Sequence, residues 1–314
     1  MRAAVIRDRA ITIEEVRDPV PGRGELLVKV LAAGLNGADL LQRAGLYPAP
    51  SGVPADIPGL ELAGVVVGTG ADVERFGAGD TVMAVVGGGA QAELAIVHER
   101  TAIPVPDSLG AHPAGGVPEA FTTAHDALFT QCGLEMGERV LVSGAAGGVG
   151  IAGVQLAVCA GATVVASVRA DHLRSRVAAL GATAVAPQEA AGLGPYDVVL
   201  ELVGAPNLAD DLASLATGGR IAVIGVGAGA LAEIDMRLLM QRRGRIHGST
   251  LRSRPLEDKA AAAGRVERHV VPLLASGRIS VLVEASFGLE EVASAYERFA
   301  SGAKLGKILL DLSR

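Results

Sequence analysis

The sequence predicts an α/β chain of two domains, in which a parallel strand–helix domain interrupts a β-rich one. Three observations carry this reading. From about residue 118, short apolar runs alternate with helical stretches, the texture of a parallel sheet with right-handed crossovers. Before that, residues 1–117 are rich in Gly, Pro and Val, with short strand-like runs between turn signals. The closing run KLGKILLDL is strand-like again and would rejoin the first part. The expected division is therefore 1–117 with 277–314 as one domain and 118–276 as the other, and 314 residues suit two domains.

In the first part the strand candidates are ELLVKVLAAGL, LAGVVVGTG and DTVMAVVG. Pro21-Gly22, Pro58-Gly59 and Gly79-Asp80 supply the turns. In the second part the strands are 140–143, 163–168, 197–202 and 220–225, with helices at 171–180 and 206–216 and a further short run from 245. Residues 255–276 read as one helix stopped by Gly277, followed by ISVLVEASFG and a helix over 289–300.

Composition excludes several classes. Half of the residues are hydrophobic but only 3% are aromatic and Trp is absent, so the cores must be built from Ala, Val and Leu. A net charge of −6 argues against nucleic acid as a partner, because phosphate binding wants a basic face. The two cysteines, Cys132 and Cys159, lie in apolar surroundings and read as buried free thiols, which suits a reducing cytoplasm. Residues 140–168 carry no charge and are long enough to span a bilayer. However, Gly144, Gly147, Gly148, Gly150, Gly153, Gln155 and Gly161 interrupt them, and a buried parallel strand pair with its crossover helix is uncharged too. A membrane role is not expected, and the opening MRAAVIRDRA lacks the apolar region of a signal peptide.

The most informative stretch is RVLVSGAAGGVGIAGVQLAVCAGATVVASVR, residues 139–169. It reads as strand, glycine turn, helix and second strand, with the spacing Ala145-x-Gly147-x-x-Gly150 of a dinucleotide-binding unit. Gly147 would admit a pyrophosphate to the backbone and Gly150 would let the helix lie close on the strand. The helix start, with Ala146, Gly148 and Val149, would offer free N–H groups to the phosphates. An NAD site usually ends the second strand with an acid. Here the strand ends Ser167-Val168-Arg169, so Ser167 and Arg169 are candidates for a 2′-phosphate and the expected cofactor is NADPH. The alternative for Arg169 is a solvated charge at a strand end. Ligands lie at the carboxyl ends of parallel strands, which adds Val203, Gly204, Gly225 and Val226 to the expected nucleotide wall.

The segments GLNGADLLQRAGLYPAP (34–50), PGLELAGVVVGTG (58–70), VERFGAGDTVMAV (73–85), VPEAFTTAHDALF (117–129), GERVLVSGAAGGVGIAGVQLA (137–157), IHGSTLRSR (246–254) and LGKILL (305–310) carry a resemblance that runs nearly end to end. Together they resemble the zinc-independent quinone oxidoreductase branch of the medium-chain dehydrogenase/reductases, the group that includes zeta-crystallin. The resemblance implies a GroES-like catalytic domain, an inserted Rossmann domain and a cleft between them. It points to Ser249 and Leu251 near that cleft and to a homodimer formed through the Rossmann sheet edge.

Zinc-dependent relatives place a cysteine where this chain has Asn36 and a histidine where it has Leu60, leaving Glu61 alone. The six histidines are scattered and no four-cysteine lobe exists, so no metal is expected. Without a Lewis acid the acceptor must already be electrophilic. The resemblance places Asn36 against the nicotinamide. It places Tyr47 on the loop bordering the cleft, where a phenol could bond a quinone oxygen and donate a proton; an ordinary half-buried tyrosine is the alternative. The expected activity is NADPH-dependent reduction of a quinone. An alkenal, enone or enoyl-thioester reductase and a non-catalytic NADPH-binding protein of the crystallin kind stay open beside it.

Overall fold

The computed structural model describes residues 1–313. The chain forms two compact units: Met1–Thr122, Leu251–Gly302 and the segment from Lys307 in the first, Thr123–Thr250 and Ala303–Gly306 in the second.

The first unit opens with a hairpin of β1 (Arg2–Arg7) and β2 (Ala10–Glu15), turned by Asp8 and Arg9 in left-handed conformations. Next come β3 (Glu25–Gly34), β4 (Glu61–Thr69), β5 (Thr81–Val85), β6 (Leu94–His98) and β7 (Ala102–Pro104), paired antiparallel as β3–β4–β5–β7, with β6 on β3. Alternation along β3 sends Leu26, Val28 and Val30 into the core while Lys29 points out, the pattern of a sheet buried on one face.

The second unit is a six-stranded sheet. Its strands are β8 (Arg139–Ser143), β9 (Thr163–Ser167), β10 (Thr183–Val185), β11 (Tyr196–Glu201), β12 (Leu215–Val223) and β13 (Arg245–Gly248). All pairings are parallel and the order is β10-β9-β8-β11-β12-β13. Renumbered from the first strand this is 3-2-1-4-5-6, the doubly wound order, which reverses direction between β8 and β11. Val140, Val142, Val164, Val165, Val198 and Val199 are buried, as strands covered on both faces require.

Two strands complete the first sheet: β14 (Val283–Gly288) pairs parallel with β15 (Lys307–Asp311), and β15 runs antiparallel to β3. The helix expected over 255–276 is two helices, Leu256–His269 and Val271–Ala275, parted at Val270. Pro272 cannot continue the ladder of the first helix, because its ring replaces the N–H. This segment groups with the first unit instead of the parallel-sheet unit. Two ion pairs bind it there, a bidentate one from Arg100 to Glu257 and one from Arg75 Nη2 to both carboxylate oxygens of Glu267, and Val266 buries its apolar side.

Candidate functional site

The residues singled out above fall into two groups, one in each unit. In the second unit β8 ends at Ser143 and the chain turns through Gly144 at φ +67°. The Ala145 N–H donates to the Ser167 carbonyl at 3.1 Å, tying the turn to the neighbouring strand. Gly147 caps the helix Gly148–Cys159. A Cβ at Gly150 would stand 2.6 Å from Ala145 Cα, so only glycine lets helix and turn approach this closely. A Cβ at Gly147 would meet nothing nearer than the Gly144 carbonyl at 3.5 Å, so the space before the helix start is open. The N–H groups of Gly148, Val149 and Gly150 lie in the first turn, where no intrahelical acceptor exists. An open cradle with these donors fits the pyrophosphate of a dinucleotide. The segment 303–306 also docks here, with the Gly306 N–H donating to the Ala146 carbonyl at 2.8 Å, a contact the sequence did not reveal.

At the ends of β11 and β12 the turns 202–205 and 225–229 are laced together. Ala228 N–H bonds the Val203 carbonyl and Ala205 N–H bonds the Gly229 carbonyl, each at 2.9 Å. Gly225 packs so closely that a Cβ would reach the Leu202 carbonyl at 2.2 Å. Val226 stands exposed at the rim. Glu201, buried at the end of β11, accepts the N–H of Val203 at 2.5 Å and of Gly204 at 2.6 Å on Oε1. Its Oε2 accepts Asn207 Nδ2 at 3.1 Å. The sequence signal for Glu201 was an acid following the apolar run Val198–Leu200 at the strand's end.

Arg169 is exposed just past β9 and forms no ion pair among the described residues. Arg174 braces the same corner, with Nε donating to the Val168 carbonyl at 3.1 Å and Nη1 pairing with Asp171 at 2.6 Å. Ser167 is buried at the end of β9, where it lines a small cavity with Ser143. Ser249 stays in this unit, its hydroxyl 3.4 Å from Asp126 Oδ2. Leu251 belongs to the first unit, buried in an apolar pocket with Val85, Ile103 and Ala263.

In the first unit Asn36, Glu61 and Lys307 form a buried polar cluster. Lys307 Nζ donates to the Leu35 carbonyl at 2.9 Å, to Asn36 Oδ1 at 2.8 Å and to Glu61 Oε1 at 2.5 Å. Asn36 Nδ2 donates to Glu61 Oε1 at 3.0 Å and to the Gly34 carbonyl at 3.2 Å. Both amide hydrogens of Asn36 are thus engaged within the unit. Glu61 Oε2 accepts the N–H of Glu119 at 2.8 Å, at the start of the helix Pro118–His125. Among the described residues no three His, Cys, Asp or Glu side chains converge as a metal cluster. The cation that Asn36 and Glu61 hold is an ammonium.

Around this cluster two carboxyls are pushed up. Burial raises Asp39 to about 6, against the N–H bonds it accepts from Asn36 and Gly59. Burial, and then the negative charge of Glu61, raise Glu119 to about 8. Tyr47 is half-buried. Burial raises its phenol, Glu119 adds to the shift and Arg252 opposes it. Arg252 fixes the Tyr47 loop: its guanidinium lies 5.2 Å from the ring centroid, and it donates to the Tyr47 carbonyl at 3.0 Å, the Gly87 carbonyl at 2.7 Å and Gln42 Oε1 at 2.7 Å. The sequence flagged Tyr47 and Asn36 but missed Lys307, Glu119 and Arg252, whose roles depend on contacts between distant segments.

One unit is a parallel sheet of order 3-2-1-4-5-6 with a glycine cradle, the other a β-rich unit with a buried polar cluster, which together define a two-unit protein of the dinucleotide-binding kind. Comparison with known proteins identifies the family. The alcohol dehydrogenase GroES-like domain matches residues 22–107 and the zinc-binding dehydrogenase family matches 161–310. The quinone oxidoreductase of Rattus norvegicus is 31% identical over 305 residues, 93% of this chain and 90% of that protein. Erythronolide synthase EryA2 of Saccharopolyspora erythraea is 34% identical over 298 residues, 91% of this chain but 8% of the synthase. The crystal structure of an alcohol dehydrogenase superfamily protein from Novosphingobium aromaticivorans is similar at a TM-score of 0.89 and 28% identity, covering 99% of each chain. The chain belongs to the medium-chain dehydrogenase/reductase family, whose members are nicotinamide-dependent oxidoreductases of small molecules.

Proposed function

We propose that this protein is an NADPH-dependent quinone oxidoreductase that works without zinc. The observation that carries the reading is the Asn36–Glu61–Lys307 cluster. It offers one carboxylate already bound to an ammonium, where a catalytic zinc needs about three ligands from Cys, His or carboxylate and an open position. An acceptor here must therefore take a hydride without metal polarisation, as a quinone does. The similarity to quinone oxidoreductases over most of both chains supports the same choice.

The 145–150 cradle would hold the pyrophosphate, and the turns at 203–204 and 225–226 would wall the nucleotide. Arg169 would pair with a 2′-phosphate through its planar fork, which favours NADPH over NADH. Ser249 would lie toward the nicotinamide end. Bound NADPH supplies the hydride. The Tyr47 phenol, which burial pushes further up, would hydrogen-bond the acceptor oxygen on which charge develops. Asn36, held rigid by Lys307 and Glu61, would shape the floor beneath it. One hydride and one proton convert a quinone to a hydroquinone.

A second reading, reduction of an enone or enoyl thioester, is favoured by the likeness to the erythronolide synthase segment and by the Glu119 carboxyl near Tyr47, which burial pushes up to about 8. A homodimer is supported by the free edge of β13 and by the exposed Leu231, Met236 and Met240 near it in the chain. Two free cysteines, with the Cys132 thiol pushed up to about 11 by burial, suit a reducing cytoplasm. No helix among the described residues is long and apolar enough to cross a membrane. The test is NADPH consumption with a naphthoquinone by protein dialysed against a chelator and assayed for metal. Full activity at no stoichiometric zinc is expected, and activity that returns only with added zinc would refute the proposal.

A further inference from the structure

A small polar cavity of about 30 Å³ lies at the carboxyl ends of β8 and β9. Ser143 and Ser167, the last residues of those strands, are paired in register, so their side chains leave the sheet on the same face. The helix Leu208–Ala213 and its flanks add Asn207, Asp211 and Ser214 to the lining. Ser143, Ser167 and Asp211 are 2%, 6% and 3% exposed. Hydrogen bonds within the protein do not satisfy this lining. Asp211 Oδ2 is buried and has no donor among the described residues. The Ser143 and Ser167 hydroxyls form no hydrogen bond among them either. Ser214 gives its hydroxyl hydrogen to the carbonyls of Asp210 at 2.7 Å and Asp211 at 3.3 Å, which leaves its oxygen free to accept. Asn207 donates its amide to Glu201 at 3.1 Å, which leaves the amide carbonyl as an acceptor. Glu201 is satisfied by three N–H donors, so it makes no demand on the cavity. No Lys, Arg or His lines it.

We propose that this cavity binds a monovalent cation of sodium or potassium size through the oxygens of Asp211, Ser143, Ser167, Ser214 and Asn207. A water could bond to Asp211 but would leave a buried charge unbalanced, which is costly. A cation supplies the counter-charge and takes the remaining oxygens as ligands, the donor type that hard cations select. Asp210 also lines the cavity but is exposed, so one buried carboxylate balances one positive charge. The volume of about 30 Å³ exceeds the roughly 10–15 Å³ that a single water-sized body needs. The ion would tie the ends of β8 and β9 to the helix that follows the 203–204 turn, whichever coenzyme the protein takes.

The test is thermal unfolding followed by far-UV circular dichroism in potassium, sodium, calcium or tetramethylammonium chloride, with ionic strength held constant by the last of these. The wild type should melt highest in potassium or sodium. Once the site is filled, each further tenfold rise in that cation should raise the folding equilibrium constant about tenfold. Asp211→Asn keeps the side chain's shape without its charge and should melt at one temperature in all four salts. Ser143→Ala keeps the carboxylate but loses one ligand, and should need more cation for the same gain; it carries the comparison should the asparagine variant fail to fold. Identical melting of the wild type in all four salts would overturn the site and leave a water or a proton to satisfy Asp211. A gain in calcium alone, or a sodium or potassium gain that Asp211→Asn retains in full, would overturn it as well.

Discussion

Replacing Lys307 with methionine removes the ammonium from the Asn36–Glu61 cluster and keeps the side chain's length and apolar stem. Glu61 is fully buried and would lose the ammonium it pairs with, while the Leu35 carbonyl and Asn36 Oδ1 would each lose a donor. Breaking a buried pair from one side costs about 3–5 kcal/mol, because the remaining charge is stranded. That is a large part of the roughly 5–15 kcal/mol that holds a domain folded. Urea unfolding followed by far-UV circular dichroism reads the loss; the chain has no Trp to serve as a fluorescent reporter. Lys307→Met should shift the midpoint strongly. Adding Glu61→Gln should restore part of the shift, since the stranded charge is gone and only hydrogen bonds remain to be satisfied. A loss below about 1 kcal/mol in the single variant, or a double variant no better than the single, would show that Lys307 and Glu61 are not coupled as described.

Other expectations follow from the glycine cradle, Arg169 and Tyr47. Arg169→Ala should weaken NADPH about tenfold or more in a fluorescence titration and leave NADH unchanged, a charge-assisted bond being worth about 1.5–3 kcal/mol; equal losses for both would assign Arg169 another role. Gly147→Val should keep the fold by circular dichroism and abolish NADPH binding, because the side chain enters open space before the helix. Gly150→Ala should instead lower the melting temperature, its methyl meeting the Ala145 backbone; a stable Gly150→Ala protein would contradict the close approach. Tyr47→Phe should lose less than about 100-fold in kcat/KM on a quinone, whose oxyanion solvent can protonate, and more on an enone.

The parallel-sheet unit was legible because its strands are short continuous apolar runs and its glycine spacing is tied to one kind of turn. β10 escaped notice since Thr183–Val185 is three residues at a sheet edge, too short for any periodicity. β12 begins earlier than the run from 220, its start at Leu215 lying in a Thr-Gly-Gly stretch with no strand pattern. The segment 255–276 read as one helix with the preceding domain, while ion pairs to Arg75 and Arg100, far away in sequence, decide where it packs. The site shows the same division. Gly147 and Gly150 announce themselves by spacing, whereas Glu201 and Lys307 matter through partners that only the folded chain brings together.

The measurement that bears most directly on the proposed activity is kcat/KM with saturating NADPH for three acceptors side by side: a simple benzoquinone or naphthoquinone, an enone and an enoyl thioester, each in the presence of a chelator. The quinone should be the best of the three, with NADPH consumed and hydroquinone formed in equal amounts. An enone or enoyl thioester preferred by more than about tenfold, a difference of about 1.4 kcal/mol in barrier, would contradict quinone reduction and make the carbon–carbon double bond the true target.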